Sequence, residues 1–215
     1  MRLAPDADPR LSVPVPVVLA SASARRCELL KALLDEFAVD PADIHERTTD
    51  DPRADARRLA REKASAVARR HPGAVVIGAD TIVHDGERAY GKPGDAETAA
   101  AMLRVLRGKT HLVVTGIAVV SASGAASEIS ASHVTLADLD DNAIATYVAS
   151  GRPLDKAGAY AIQDEDLPTV TTLDGCYCSV MGLPLWRLRA FLATAGVVAR
   201  EPHEALPRCE ACPER

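Results

Sequence analysis

Aromatic residues are scarce in this sequence, since only 3% of its 215 residues are Phe, Trp or Tyr. Alanine, valine and leucine must therefore supply most of the core. No apolar run approaches the roughly 20 residues that a membrane-spanning helix needs. The first 16 residues are rich in Pro and Asp and lack the apolar stretch of a signal peptide. We therefore expect a cytoplasmic globular protein that does not bind membranes.

Cysteine is also infrequent, and five residues are too few and too scattered for a disulfide scaffold. Cys209 and Cys212 form a CxxC pair near the end of the chain. A structural zinc site needs four ligands, and no second matching pair stands nearby in the sequence. The favoured interpretation is that the pair is incidental to a flexible tail. Cys176 and Cys178 alternate in a segment that resembles a strand, where packing is the expected role.

Basic residues do not dominate the charge balance. The net charge is −5, from 30 acidic and 25 basic side chains. This argues against a dedicated nucleic-acid binder, which usually carries a basic excess. It leaves room for a local basic pocket that binds a small anion.

Several nucleotide and hydrolase motifs are missing. The sequence has no GxxxxGK[ST] loop, no GxGxxG after a strand, no HExxH and no GxSxG. Its six His residues show no metal-ligand spacing. Any phosphate chemistry must therefore come from dispersed Arg, Lys and carboxylate side chains.

The hydrophobic pattern predicts one domain of two lobes over residues 14–199, with a flexible arm at 1–13 and a flexible tail at 200–215. The periodicity predicts strands at 15–20, 74–78, 110–121 and 128–137, helices at 25–35, 52–71, 95–107, 140–149 and 183–195, and extended segments at 157–163 and 169–180. Because strands and helices mix in an irregular order, the predicted fold class is α/β with a mixed sheet.

The strand–turn–helix segment at 19–30 is the first candidate site. Turn hydroxyls such as Ser21 and free N–H groups at a helix start bind anions well. Arg25 and Arg26 lie in the first helical turn, where the helix dipole disfavours cations. A bound phosphate would reverse that preference. The alternative is an ordinary Ser N-cap beside two solvated arginines.

Asp80 and Lys63 are further candidates. Asp80 directly follows the apolar run 74–79, a place where α/β enzymes often carry chemistry. It suits a general base or a metal ligand, and a turn or helix cap is the alternative. Lys63 shares a helix face with Leu59 and Val67, so it must either extend to the surface or meet an anion.

Three more polar residues are individually unremarkable. Lys92 lies in the stiff turn GKPGD at 91–95, where anion binding and ordinary turn chemistry are equally supported. Glu46 ends the extended segment that contains Asp43, and Gln163 ends the segment 157–163. Neither position carries a functional signal alone.

Taken in order, these segments resemble the Maf family of nucleoside triphosphate pyrophosphatases from about Val17 to Ala195. The resembling motifs are LASASARRCELL (19–30), DIHE (43–46), REKA (61–64), GADTIV (78–83), GKP (91–93), THLVVTG (110–116), DKAGAYAIQ (155–163) and VMGLPL (180–185). The resemblance implies a bent mixed sheet with helices around a central cleft, as in inosine triphosphate pyrophosphatases, and often a homodimer.

The resemblance also implies roles for individual residues. Asp80 matches the proposed general base. Glu46 and Asp80 match a site for a divalent cation, Mg²⁺ or Mn²⁺. The remaining implied contacts with the nucleotide or the cleft are Ser21, Arg25, Arg26, Lys63, Thr81, Lys92 and Gln163. One departure is visible, because Ala24 stands where the family turn usually has Pro, and we expect only a softer turn.

The expected activity is hydrolysis of a nucleoside triphosphate to the monophosphate and pyrophosphate. Arg25, Thr81 and Gln163 resemble the branch that cleaves dTTP, UTP or modified pyrimidine nucleotides. Two alternatives stay open. One is a nucleotide-binding regulator of cell division and septum formation, and the other is an inosine or xanthosine triphosphate pyrophosphatase.

Overall fold

A computed structural model describes residues 15–164, 167 and 169–215, so the predicted arm at 1–13 lies outside the described residues. The strands are β1 (Val17–Leu19), β2 (Ala38–Val39), β3 (Val75–His84), β4 (Ala89–Tyr90), β5 (Thr110–Ser121), β6 (Gly124–Leu136) and β7 (Val170–Asp174). The helices are α1 (Ala24–Lys31), α2 (Pro52–Ala68), α3 (Ala96–Leu106), α4 (Asp141–Ala149), α5 (Tyr177–Met181), α6 (Leu185–Thr194) and α7 (Pro202–Ala205).

The strands form one sheet in the order β2-β1-β3-β5-β6-β7, and β4 pairs with β3. Strand β1 is parallel to β2 and to β3. The other pairings, from β3 through β5 and β6 to β7 and between β3 and β4, are antiparallel. The predicted mixed α/β class is therefore confirmed. No helix in the described part of the chain is long and apolar enough to cross a membrane.

Helix α2 lies unusually close to the centre of one sheet face. A Cβ atom on Gly78 of β3 would lie 2.2 Å from the Ala60 carbonyl oxygen, and one on Gly116 of β5 would lie 2.1 Å from that of Ala56. Only glycine permits such an approach of two backbones. Side chains alternate along a strand, so Asp80 shares the face of Gly78 and points towards α2.

Replacing Gly78 by Ala should test this packing. The added methyl group meets helix backbone, which cannot rotate away, so the free energy of unfolding should fall by about 1–3 kcal/mol or more. Urea denaturation measures the change. The control is Gly91→Ala, because a Cβ at Gly91 meets nothing within 4 Å. An unchanged denaturation midpoint for Gly78→Ala would contradict the close approach of α2.

The opposite sheet face carries two separate apolar clusters. Helices α1, α5 and α6 cover one of them, which includes Leu30, Ile77 and Leu188. Helices α3 and α4 cover the other, which includes Leu103 and Val113. Along β3 the residue between the two clusters is polar: Ala79 belongs to the first, Val83 belongs to the second, and Thr81 lies between them. This polar gap is where the cleft opens.

Two predicted extended segments are wrong in part. Residues 157–163 begin with a short 3-10 helix at Ala157–Ala159, where Gly158 and Ala159 have left-handed φ values of 72° and 61° and turn the chain. In 169–180, the strand β7 ends at Asp174 and α5 follows. Cys176 is the N-cap of α5, and its Sγ accepts the Ser179 N–H. A thiol is not a usual cap, so the pattern gave no helix signal.

Residues 200–215, predicted as a flexible tail, contain α7 and a 3-10 helix at Pro207–Cys209. Cys209 is only 2% exposed and belongs to the cluster under α1, α5 and α6. The indole N–H of Trp186 donates to the Cys209 carbonyl oxygen at 2.9 Å. The sequence pattern did not anticipate this packing.

Candidate active site

A cavity of about 740 Å³ opens beside β3, where this strand continues beyond its pairing with β1 and before its pairing with β4. The β1–α1 turn, α2, β3, the segment after β4 and the start of 155–163 all contribute to its walls. Every residue that the sequence analysis nominates for the site lines this cavity: Ser21, Arg25, Arg26, Glu46, Lys63, Asp80, Thr81, Lys92 and Gln163. Residues from distant parts of the chain thus face a single space of the size that nucleotides occupy.

Lys63 lies between two carboxylates on the cavity wall. Its Nζ atom is 2.5 Å from Asp80 Oδ1 and 2.6 Å from Glu46 Oε1. Lys63 is 8% exposed and Asp80 7%, whereas the side chain of Glu46 is 54% exposed. The ammonium group therefore meets anions inside the cavity instead of extending to the surface.

Asp80 lies in the middle of β3, not at the end of a strand as the apolar run predicted. The ladder with β5 continues through it, with Asp80 opposite Gly116. Burial raises the pKa of Asp80, while the charges of Lys63 and Arg26 oppose the rise. A carboxyl with a raised pKa is a better proton acceptor when ionised, so this environment suits a general base.

Arg26 reaches from the start of α1 into the polar gap of the sheet. Its Nε donates to the Gly182 carbonyl oxygen at 2.9 Å, Nη1 to Ser21 Oγ at 3.2 Å, and Nη2 to Thr81 Oγ1 at 3.1 Å. These contacts use three of the five N–H donors of a guanidinium. Thr81 is itself held by Thr115, with 2.9 Å between the two Oγ1 atoms. Arg26 is therefore both fixed in place and able to donate to a ligand.

Arg25 occupies a different position at the rim. Its Nη1 atom lies 3.1 Å from Asp155 Oδ2, and the Lys156 Nζ lies 2.7 Å from the other oxygen of the same carboxylate. The Asp155 side chain is 67% exposed. Ser23 caps α1 by accepting the Arg26 N–H at 3.5 Å, so the N-cap interpretation holds for Ser23 while both arginines still line the cavity.

Sequence reasoning missed Asp155 and Lys156. Both line the cavity and stand directly before the left-handed turn at Gly158 and Ala159. A charged pair that precedes a glycine turn in the motif DKAGAY was the available signal. Lys92 is exposed and Gln163 is half-buried on the same walls.

Comparison with known proteins shows that this chain is similar to one family. Residues 16–195 match the family model described as "Maf-like protein". The chain is 44% identical over 202 residues to a dTTP/UTP pyrophosphatase of Thermomicrobium roseum, covering 92% of this chain and 93% of that protein. It is 48% identical over 185 residues to a dTTP/UTP pyrophosphatase of Myxococcus xanthus, covering 84% and 93%.

The fold also resembles a solved structure. The Staphylococcus aureus Ham1 protein superposes with a TM-score of 0.50 at 16% identity, covering 83% of this chain and 98% of that chain. At this identity the likeness concerns the fold alone. It agrees with the bent mixed sheet and central cleft that the sequence motifs imply.

Proposed function

This chain belongs to the Maf-like protein family, and on that premise we propose that it hydrolyses dTTP and UTP to the nucleoside monophosphate and pyrophosphate. Relatives at 42–48% identity that carry the name dTTP/UTP pyrophosphatase support the substrate choice. The observation that carries the proposal is the meeting of cations and carboxylates around one cavity. A triphosphate needs several cations, and its hydrolysis needs a base.

The position of each residue in the cavity indicates its proposed role. Arg26 and Lys92, with Arg25 at the rim, neutralise the triphosphate oxygens as charge moves to the leaving pyrophosphate. Asp80 accepts a proton from the water that attacks the α-phosphorus. Lys63 holds the Asp80 carboxylate in place and favours its ionised form, because its ammonium opposes the rise in the Asp80 pKa.

A divalent cation, Mg²⁺ or Mn²⁺, fits the same carboxylates. In the described part of the chain, no three His, Cys, Asp or Glu side chains surround a common point. Mg²⁺ is usually held by one or two carboxylates together with substrate phosphates, so Glu46 and Asp80 would suffice once a triphosphate is present. When bound, the cation supplies charge stabilisation to the phosphate oxygens. The exposed Glu46 side chain is free to turn from Lys63 towards such an ion.

A nucleotide panel tests the proposal. Purified protein is incubated with Mg²⁺ and dTTP, UTP, dCTP, GTP, ITP or XTP, and pyrophosphate release is measured. We expect dTTP and UTP to give the highest kcat/KM. A preference for ITP or XTP would support the inosine-type alternative. Absence of turnover with every nucleotide, alongside measurable binding, would support the alternative of a nucleotide-binding regulator of cell division.

We also propose that the protein acts on free nucleotides in the cytoplasm as a homodimer, as the family resemblance implies. Light scattering coupled to size-exclusion chromatography tests the oligomeric state. A mass of one chain at micromolar concentration would contradict the dimer.

A further inference from the structure

Four of the five cysteines lie close together in the structure, although about 30 residues of sequence separate the two pairs. Cys176 and Cys178 stand at the start of α5, and Cys209 and Cys212 stand in the C-terminal segment. The Sγ atoms of Cys178 and Cys209 are 3.3 Å apart, Cys176 is buried in the same apolar cluster, and Cys212 packs against that cluster. The second cysteine pair that the sequence lacked near the CxxC is therefore supplied by the fold.

We propose that these four thiols bind one Zn²⁺ ion in a structural Cys₄ site. Structural zinc is held tetrahedrally by thiolates, and the CxxC spacing of Cys209 and Cys212 is typical of its ligands. Cys176 and Cys178 have a CxC spacing, which is one residue shorter than CxxC. Cys176 is the N-cap of α5 and Cys178 lies in its first turn, so the chain changes direction between them. Cys209 and Cys212 lie beyond residue 195, where the family match ends, and none of the four cysteines lines the catalytic cavity.

The sulfur geometry favours a metal over disulfides. A tetrahedral ion with Zn–S bonds of about 2.3 Å has S···S edges of about 3.8 Å, whereas a disulfide has about 2.05 Å. The 3.3 Å between the Cys178 and Cys209 sulfurs lies nearer the first value. In the described part of the chain, no three of these side chains already stand as a group that could hold a metal ion. Rotation of the side chains between staggered rotamers would close the pairs around one ion.

The contacts among the thiols also suit a single shared ion. Cys176, Cys178 and Cys209 are buried in one cluster, and Cys212 packs against it. A disulfide joins only two sulfur atoms, whereas one zinc ion would bind all four thiolates. The Ser179 N–H already donates to Cys176 Sγ at 3.4 Å, which is the kind of backbone contact that stabilises a metal-bound thiolate.

Arginine side chains lie on the aromatic rings beside the cysteine-bearing segments. Arg208 stacks on the Tyr177 ring, between the two cysteines of α5, with its guanidinium carbon 4.8 Å from the ring centre. Arg215 lies over the Trp186 ring at 5.4 Å, and Arg187 pairs with Glu214 at 3.0 Å.

The proposed ion has a structural consequence. It would anchor the C-terminal segment to α5, which ends at Gly182, and the Gly182 carbonyl holds Arg26 in the cavity. Metal binding by residues of separate segments stabilises a fold because the unfolded chain has no preformed site. We therefore expect zinc loss to lower thermal stability and to loosen the C-terminal segment around Trp186.

Elemental analysis of the purified full-length protein is the direct test, and about one zinc per chain is expected. The paired variant Cys209→Ser/Cys212→Ser should lose the metal, whereas Cys27→Ser, the matched control outside the cluster, should keep it. Asp80→Asn should also keep it, which separates this site from the catalytic carboxylates. Co²⁺ exchanged into the wild-type protein should give the intense thiolate-to-metal absorption of a tetrahedral cysteine site.

Two further measurements need no variant. Trp186 is the single tryptophan of the chain and touches the Cys209 carbonyl, so removal of zinc by a strong chelator should change its fluorescence. Mass spectrometry of the denatured, unreduced wild-type protein counts free thiols. Protein purified without zinc that has five alkylatable thiols and does not take up Zn²⁺ or Co²⁺ would overturn the proposal, as would a mass that shows two disulfides.

Discussion

Replacing Asp80 by Asn should lower kcat for dTTP hydrolysis by about 10²–10⁴-fold, the usual contribution of a general base. Asparagine keeps the shape of the side chain but cannot accept the proton from the attacking water. The variant should still fold, because the amide oxygen can accept a hydrogen bond from the Lys63 ammonium that now contacts Asp80. Steady-state pyrophosphate release under saturating dTTP measures the effect.

The stability of the same variant gives an independent check. The pKa of Asp80 is raised by burial, so the ionised carboxylate is less favourable in the folded protein than in the unfolded chain. A raised folded pKa contributes stability only below the unfolded pKa, and that contribution is lost as the pH rises through the folded pKa. Near neutral pH, Asp80→Asn should therefore not lower Tm.

The control is Asp138→Asn, which changes an exposed aspartate outside the cavity lining. It should leave kcat within about twofold, as surface substitutions usually do. Turnover by Asp80→Asn equal to that of the wild type would remove Asp80 from the mechanism. A large fall in Tm together with lost activity would instead show that Asp80 serves mainly to hold the fold.

The arrangement of helices and strands was largely predictable because long periodic segments dominate this chain. The predicted strand at 110–121 coincides with β5, and Asp95, the first residue of the predicted helix 95–107, is the N-cap of α3. What the pattern could not predict is the extent of β3. Its apolar run is interrupted by Gly78, Asp80 and Thr81, which looks like the end of a strand. The interruption exists because α2 packs against Gly78 and because Asp80 and Thr81 line the cavity. Most residues that form these surroundings are distant in sequence from β3.

The candidate site was predictable as a set of residues but not as an arrangement. Motif resemblance nominated Arg25 and Arg26 together, whereas their geometry separates them. Arg26 is fixed by Gly182 and Thr81, and Arg25 pairs with Asp155 at the rim. No local pattern could bring Asp155 to Arg25, since 130 residues separate them. The four-cysteine cluster was missed for the same reason, because the two pairs meet only after the C-terminal segment folds back onto α5.

Replacing Lys63 by Met should lower kcat by about 10–10³-fold at pH values below the pKa of Asp80. An opposite charge within hydrogen-bonding distance commonly shifts the ionisation equilibrium of a carboxyl by such a factor. Lys63 lies 2.5 Å from Asp80 and lowers the pKa of that carboxyl against the effect of burial. Without the ammonium, Glu46 and burial both raise the Asp80 pKa, so less of the base is ionised.

The pH dependence distinguishes this role from simple phosphate binding. If Lys63 acts through Asp80, the acid limb of the kcat profile in Lys63→Met moves to higher pH, and activity partly recovers in alkaline buffer. If Lys63 only binds the triphosphate, KM rises and the acid limb stays in place. The matched control is Arg61→Met, which removes a cation from the exposed side of the same helix and should change neither quantity. A shifted acid limb would also show that the Lys63–Asp80 pair contributes to the working pH of the enzyme.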